Sequence, residues 1–198
     1  MGKVFRENGW EVFSFEIDPK AEPTLGKDML HVARSGLPEH VDAAGASPLC
    51  TQYSIAHTRA KTPRNLVGAD NLVLKTRDII SWYPCVPFVI ENPQGLLKHR
   101  AAIQGMPCFT VDYCQYRDDR WPQLYRTRTH LWSNCSFRPR PRCDPQTCTC
   151  SHNGKHLARA PFLHANSEGV KLKHLGTKTL YTIPPGLVQA VYECVRMV

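Results

Sequence analysis

Pro87-Phe88-Val89-Ile90-Glu91-Asn92-Pro93 reads as a short buried strand, Pro87 to Ile90, with the carboxylate of Glu91 at its carboxyl end. An apolar run this brief, bounded by prolines, is too short for a helix and suits a strand covered on both faces. Upstream, Asp70 to Tyr83 sets Leu72, Leu74, Ile79, Ile80 and Trp82 among polar residues at roughly helical spacing, and Pro84 stops the run. Before that helix, Val41 to Ser47 makes a weak strand leading into Ala46-Ser47-Pro48-Leu49-Cys50-Thr51-Gln52-Tyr53-Ser54, followed by a basic loop from His57 to Arg64. Nearer the start, Asn8-Gly9 closes a short helix, and Trp10 to Ile17 alternates as a strand. Downstream come strands from Cys108 to Cys114 and from Arg126 to Trp132, then a terminal helix over 184–197. Strands alternating with helices predict an α/β fold with a mainly parallel sheet covered on both faces. Ligands of such sheets bind beyond the carboxyl ends of the strands, where Glu16, Cys50 and Glu91 all fall.

The chain has 198 residues, enough for one domain with a sizeable core. No apolar run is long enough to span a membrane and no signal-peptide core follows Met1, so an intracellular protein without a membrane partner is expected. Twenty-five Lys and Arg against 17 Asp and Glu give a formal charge of +8, which favours polyanionic partners, nucleic acid first. Solubility alone also explains such a balance.

Nine cysteines, an odd number in a chain of this size, argue against a disulfide framework. Cys50, Cys85, Cys108, Cys114 and Cys194 sit in apolar contexts, where a reduced thiol is usually a small core residue. Cys135, Cys143, Cys148 and Cys150 instead crowd a stretch rich in Pro, Arg and turn residues, with His152 and His156 close behind. A segment that poor in core formers gains order from a metal, and Cys143, Cys148, Cys150 and His156 are the candidate zinc ligands. Their spacing is not that of a standard finger, and free thiols in a loop are the alternative.

Cys50 and Glu91, at the ends of two strands, suit nucleophilic addition to an electron-poor ring. Singly, such residues are more often a buried thiol and a structural carboxylate capping a turn. The residues around them nevertheless form an ordered set. Pro48-Leu49-Cys50-Thr51-Gln52-Tyr53-Ser54 resembles the Pro-Cys-x-x-x-Ser motif of the DNA (cytosine-5) methyltransferases, with Leu49 where a proline normally precedes the nucleophile. Glu91-Asn92-Pro93 is similar to their Glu-Asn-Val motif. Arg126-Thr127-Arg128 after Gln123 is similar to their Gln-x-Arg-x-Arg motif with one residue inserted. Glu16-Ile17-Asp18 resembles their ribose-binding acid, Asp28-Met29 their adenine contact, and Ile183-Pro184-Pro185 with the following helix their closing motif. The family's glycine-loop motif, which follows the central first strand, has no counterpart, and the small size most resembles short phage-type members.

The resemblance implies a Rossmann-like S-adenosylmethionine-dependent fold, lacking its first strand. It implies Cys50 as nucleophile, Glu91 as partner of the cytosine ring, and Arg126 and Arg128 as positioning donors. Glu16, Ile17, Asp28, Met29 and Pro48 would line the S-adenosylmethionine pocket, and Ser54, Arg59, Lys61 and Arg64 would grip DNA. The substrate would be DNA, either duplex with the cytosine flipped out or single-stranded. Residues 1–134 would form the catalytic domain, 135–178 a Cys-rich and basic segment in place of a target-recognition domain, and 179–198 a helix returning to the catalytic domain. Arg138, Arg140 and Arg142 of the middle segment would also face DNA. A monomer in the cytoplasm of a prokaryotic host is expected. An inactive or truncated relative that only binds nucleic acid, with or without zinc, is the competing expectation.

Overall fold

The computed structural model describes residues 1–118, 127–152, 154–156 and 182–197. In chain order these form α1 (Gly2–Glu7), β1 (Phe15–Glu16), β2 (Leu25–Gly26), β3 (Ala44–Ala46), α2 (Leu66–Ser81), β4 (Phe88–Pro93), β5 (Cys108–Asp112), β6 (Arg128–Ser133), β7 (Ser151–His152), β8 (Lys155–His156) and α3 (Pro185–Val195). Short 3-10 turns fill several of the connections.

The fold is mixed α/β. Its main sheet runs β3-β4-β6-β5. Strand β3 is parallel to β4, while β6 is antiparallel to both β4 and β5. The expected mainly parallel sheet is therefore corrected to a mixed one. A parallel neighbour needs a crossover, as α2 provides between β3 and β4. β6 instead turns back beside β5 and slots between β5 and β4. β1 and β2 form a separate parallel pair.

β4 is buried from Val89 to Asn92 because the sheet is covered on both faces. Side chains alternate. Val89 joins Val111, Leu131, Leu187, Val191 and Val195 on the face under α3. Ile90 joins Trp132, Tyr53, Val73 and Ile103 on the face under α2. The apolar stripe of α3 is what brings the C-terminal helix back onto the sheet.

Three expected strands are shorter than their patterns, the first being Val41 to Ser47, of which only Ala44–Ala46 pairs. Over Trp10 to Ile17 only Phe15 and Glu16 enter a ladder, because Trp10 turns inward to pack edge-on against Phe5 and Tyr192, at 5.3 and 6.1 Å between centroids. β5 stops at Asp112, where Tyr113–Tyr116 coil into a 3-10 turn. Helix α2 starts earlier than its apolar periodicity, since the Asn65 carboxamide accepts the Gly68 N–H at 2.8 Å as an N-cap.

Candidate active site and metal centre

Beyond β3 the chain passes through buried Pro48 and turns sharply at Cys50, whose carbonyl accepts the amides of Tyr53 and Ser54, both at 3.0 Å. Three contacts pin this turn to the end of β4. The Asn92 carboxamide donates to the Pro48 carbonyl at 2.8 Å. The Leu96 N–H donates to the Tyr53 carbonyl at 2.9 Å. Gly95 lies so close to Tyr53 that an added Cβ would stand 2.4 Å from its carbonyl oxygen. From the other side, the fully buried Tyr53 hydroxyl donates to Asp70 at 2.9 Å, and Arg100 Nε donates to the same carboxylate at 3.0 Å. Cys50 thus sits on a turn held by α2 and by the segment after β4.

Glu91 is only 5% exposed. Its Oε1 accepts hydrogen bonds from Thr129 Oγ1 of β6 at 2.6 Å and from the Tyr113 hydroxyl at 2.9 Å. Burial pushes its pKa up, and the bonds from Thr129, Tyr113 and Ser47 offset that only in part. Burial also pushes up the pKa of the Cys50 thiol, and the negative charge of Glu91 adds to the rise, so the two groups feel one another. Thr129, Tyr113 and Ser47 escaped the sequence reading. Only strand register reveals the first two, because Glu91, Thr129 and Tyr113 share the sheet face that carries Val89, Leu131 and Val111.

Glu16, Ile17, Asp28, Met29 and Pro48 line a single cleft of about 500 Å³, together with apolar residues such as Leu49 and Leu72. Its two carboxylates are shaped by local turns: Glu16 Oε1 accepts the amides of Ile17 and Asp18, and Asp28 Oδ1 that of Leu30. Ser47, on the cleft wall, is also among the groups that hold the Glu91 pKa down, so cleft and carboxylate adjoin.

The basic residues divide. Arg128 forks onto buried Asp112, with Nε 2.8 Å from Oδ1, which fixes the guanidinium at the sheet end. Arg126 lies outside the described residues. Arg64 is a brace for the loop after Cys50, donating to the Gln52 carbonyl at 2.6 Å and to Thr58 Oγ1 at 3.1 Å. Lys61 is exposed on that loop, Arg59 ends its 3-10 turn, and Ser54 forms a backbone bridge with Gly95. Arg140 donates to the Gln115 carbonyl and lies over the Tyr116 ring, and Arg142 donates to Asp112, while Arg138 is exposed.

The Cys-rich segment folds against the end of β5. The ligand atoms of Cys114, Cys143, Cys148 and His156 all lie within 4.8 Å of one another, a Cys3His set able to hold a metal ion. This corrects the ligand set read from spacing: Cys114 takes the place assigned to Cys150. Cys150 is buried beside the quartet, and its backbone N–H donates to Cys148 Sγ at 3.4 Å. Cys114 looked like a core thiol because its partners are remote in sequence. No family model matches this chain, and a search of curated proteins finds no match.

Proposed function

We propose that this chain transfers a methyl group from S-adenosylmethionine to carbon 5 of cytosine in DNA, through a transient adduct on Cys50. One observation carries the reading: the five residues expected to hold the cofactor line one cleft, whose wall residue Ser47 also acts on the Glu91 carboxyl. The cleft fits a nucleoside cofactor in size and chemistry, with two carboxylates for hydroxyl and amine groups and an apolar lining for a flat base. The separation of the β1/β2 pair from the β3 edge supports a doubly wound sheet interrupted at its centre.

S-adenosylmethionine, when bound, supplies an electrophilic methyl group. Cys50 Sγ, as thiolate, adds to carbon 6 of the ring and makes carbon 5 electron-rich. Glu91, whose raised pKa favours the protonated form, donates to ring nitrogen 3, where negative charge would otherwise build up. A protonated Glu91 also removes the charge that opposes ionisation of Cys50. Tyr113 and Thr129 hold the carboxyl in place by bonding one oxygen, and Asp112 aims Arg128 along the sheet end as a donor toward the base or its phosphate. Carbon 5 then takes the methyl group, water carries off the carbon-5 proton, Glu91 recovers its proton from nitrogen 3, and the bond from carbon 6 to sulfur breaks to free Cys50 and the methylated base. The Cys–His quartet takes no step in this chemistry, and zinc held there would be structural.

Calorimetric titration with S-adenosylmethionine, followed by labelled-methyl transfer to DNA with Cys50→Ser as control, tests the proposal. Saturable binding and Cys50-dependent incorporation are expected. DNA binding without cofactor binding by a folded chain would sink the enzymatic reading and leave an inactive DNA-binding relative.

A further inference from the structure

We propose that Cys114, Cys143, Cys148 and His156 bind one zinc ion that clasps residues 140–156 to the end of β5. Three features of the chain assemble this quartet. Asp112, at the end of β5, accepts the Cys143 backbone N–H at 3.0 Å and Arg142 Nε at 3.2 Å, which delivers Cys143 to the residue pair beside Cys114. A turn follows, in which Asp144 accepts the Gln146 amide by its side chain and the Cys148 amide by its carbonyl, and Cys148 comes back toward Cys143. The β7/β8 hairpin then reverses through Gly154, whose φ of +71° is the left-handed value a two-residue turn requires, and His156 returns to 3.2 Å between Nε2 and Cys143 Sγ.

The donor chemistry selects zinc. Three sulfurs and one imidazole nitrogen form a closed structural set, and bonds near 2.3 Å to sulfur and about 2.0 Å to nitrogen place such atoms less than about 4 Å apart. Every pair here lies within 4.8 Å, so closing on the ion asks for a shift of no more than about 1 Å. Outer donors are also present: the Cys150 N–H points to Cys148 Sγ, as amides commonly do toward metal-bound thiolates. The segment contributes only a small cluster of buried cysteines to the core, so cross-linking by a metal is its main source of order. The inference stands independently of the chemistry proposed at Cys50.

The test is metal content and cobalt spectroscopy on the full chain, purified under reducing conditions. One zinc ion per chain is expected, and the cobalt-substituted protein should show a tetrahedral spectrum with charge-transfer intensity from three thiolates. Cys150→Ser should keep the ion. Cys114→Ser should lose affinity by more than the roughly 10–100-fold carried by outer-shell partners. If Cys114→Ser does not fold, His156→Cys decides, because it should retain the metal with a fourth thiolate contribution. A wild-type chain that binds no zinc, loss of the ion on Cys150→Ser with retention on Cys114→Ser, or a cobalt spectrum unchanged by His156→Cys would each overturn the proposal.

Discussion

Gly95→Ala isolates the contact that fixes the Cys50 turn. The backbone of Gly95 is extended, with φ at −176°, so alanine meets no conformational penalty there. The obstacle is steric and comes from backbone on both sides: the new methyl would stand 2.4 Å from the Tyr53 carbonyl oxygen, about 1 Å short of ordinary contact. Neither partner is a flexible side-chain tip, so the two segments must part. Overpacking of this kind costs about 1–3 kcal/mol. Separation also loosens the Leu96 N–H bond to the same carbonyl, for roughly another 1 kcal/mol. Urea denaturation should therefore show a loss of about 2–4 kcal/mol. Gly26→Ala, at a site with nothing within 4 Å and no left-handed φ, should stay within about 0.5 kcal/mol of wild type. Cys50 should also become more reactive toward iodoacetamide as its turn opens. A Gly95→Ala protein as stable as Gly26→Ala would refute the close-contact account of the turn.

Glu91→Gln should lose methyl transfer, because an amide has no proton to give ring nitrogen 3, while Cys50 alkylates near neutral pH at a rate close to wild type, the amide being neutral like the protonated carboxyl; mass-spectrometric labelling rates check the second part. In wild type the raised pKa of Glu91 means the folded state binds its proton more tightly than the unfolded chain does. Stability from this group is therefore greatest at low pH and falls as pH rises from about 4.3 toward the folded value; Glu91→Gln should flatten that part of a denaturation profile. His130 behaves oppositely, since burial, with nearby cations, pushes its pKa down to about 4. It contributes stability above pH 6.5 that is lost as pH falls toward 4, amounting to about 3 kcal/mol, and His130→Gln should remove that slope. Tyr53→Phe should lower stability by about 1–3 kcal/mol through loss of a buried bond to a carboxylate, and calorimetric melting should register it.

The residues of β4 were legible because a fully buried strand writes itself as an apolar run, and Glu91 stands out as the first charge after it. The stripe of Leu187, Val188, Val191 and Val195 announced α3 for the same reason. Pairing was not legible. Nothing local in Arg128 to Ser133 distinguishes a strand inserted antiparallel between two others from one added in parallel at an edge. The partners of Glu91 were hidden likewise, since Thr129 and Tyr113 reach it only through that insertion. Spacing nominated Cys150 as a ligand, but the hairpin geometry and the end of β5 supply Cys114 instead. The cleft residues were nominated through the resemblance. Their separate turns do not encode that they share one wall.

The position of β6 also has a consequence for the order in which a ribosome delivers the sheet. β4 and β5 emerge first and run in the same direction, but each is meant to pair with β6, which is made last and sits between them. Until Ser133 has left the exit tunnel, two apolar strands expose unpaired edges that can meet each other or another nascent chain. A chain terminated between Asp112 and Arg128 would therefore be a slotted half-sheet. Release at that point should yield fragments that aggregate, whereas chains extended past Ser133 can close the slot.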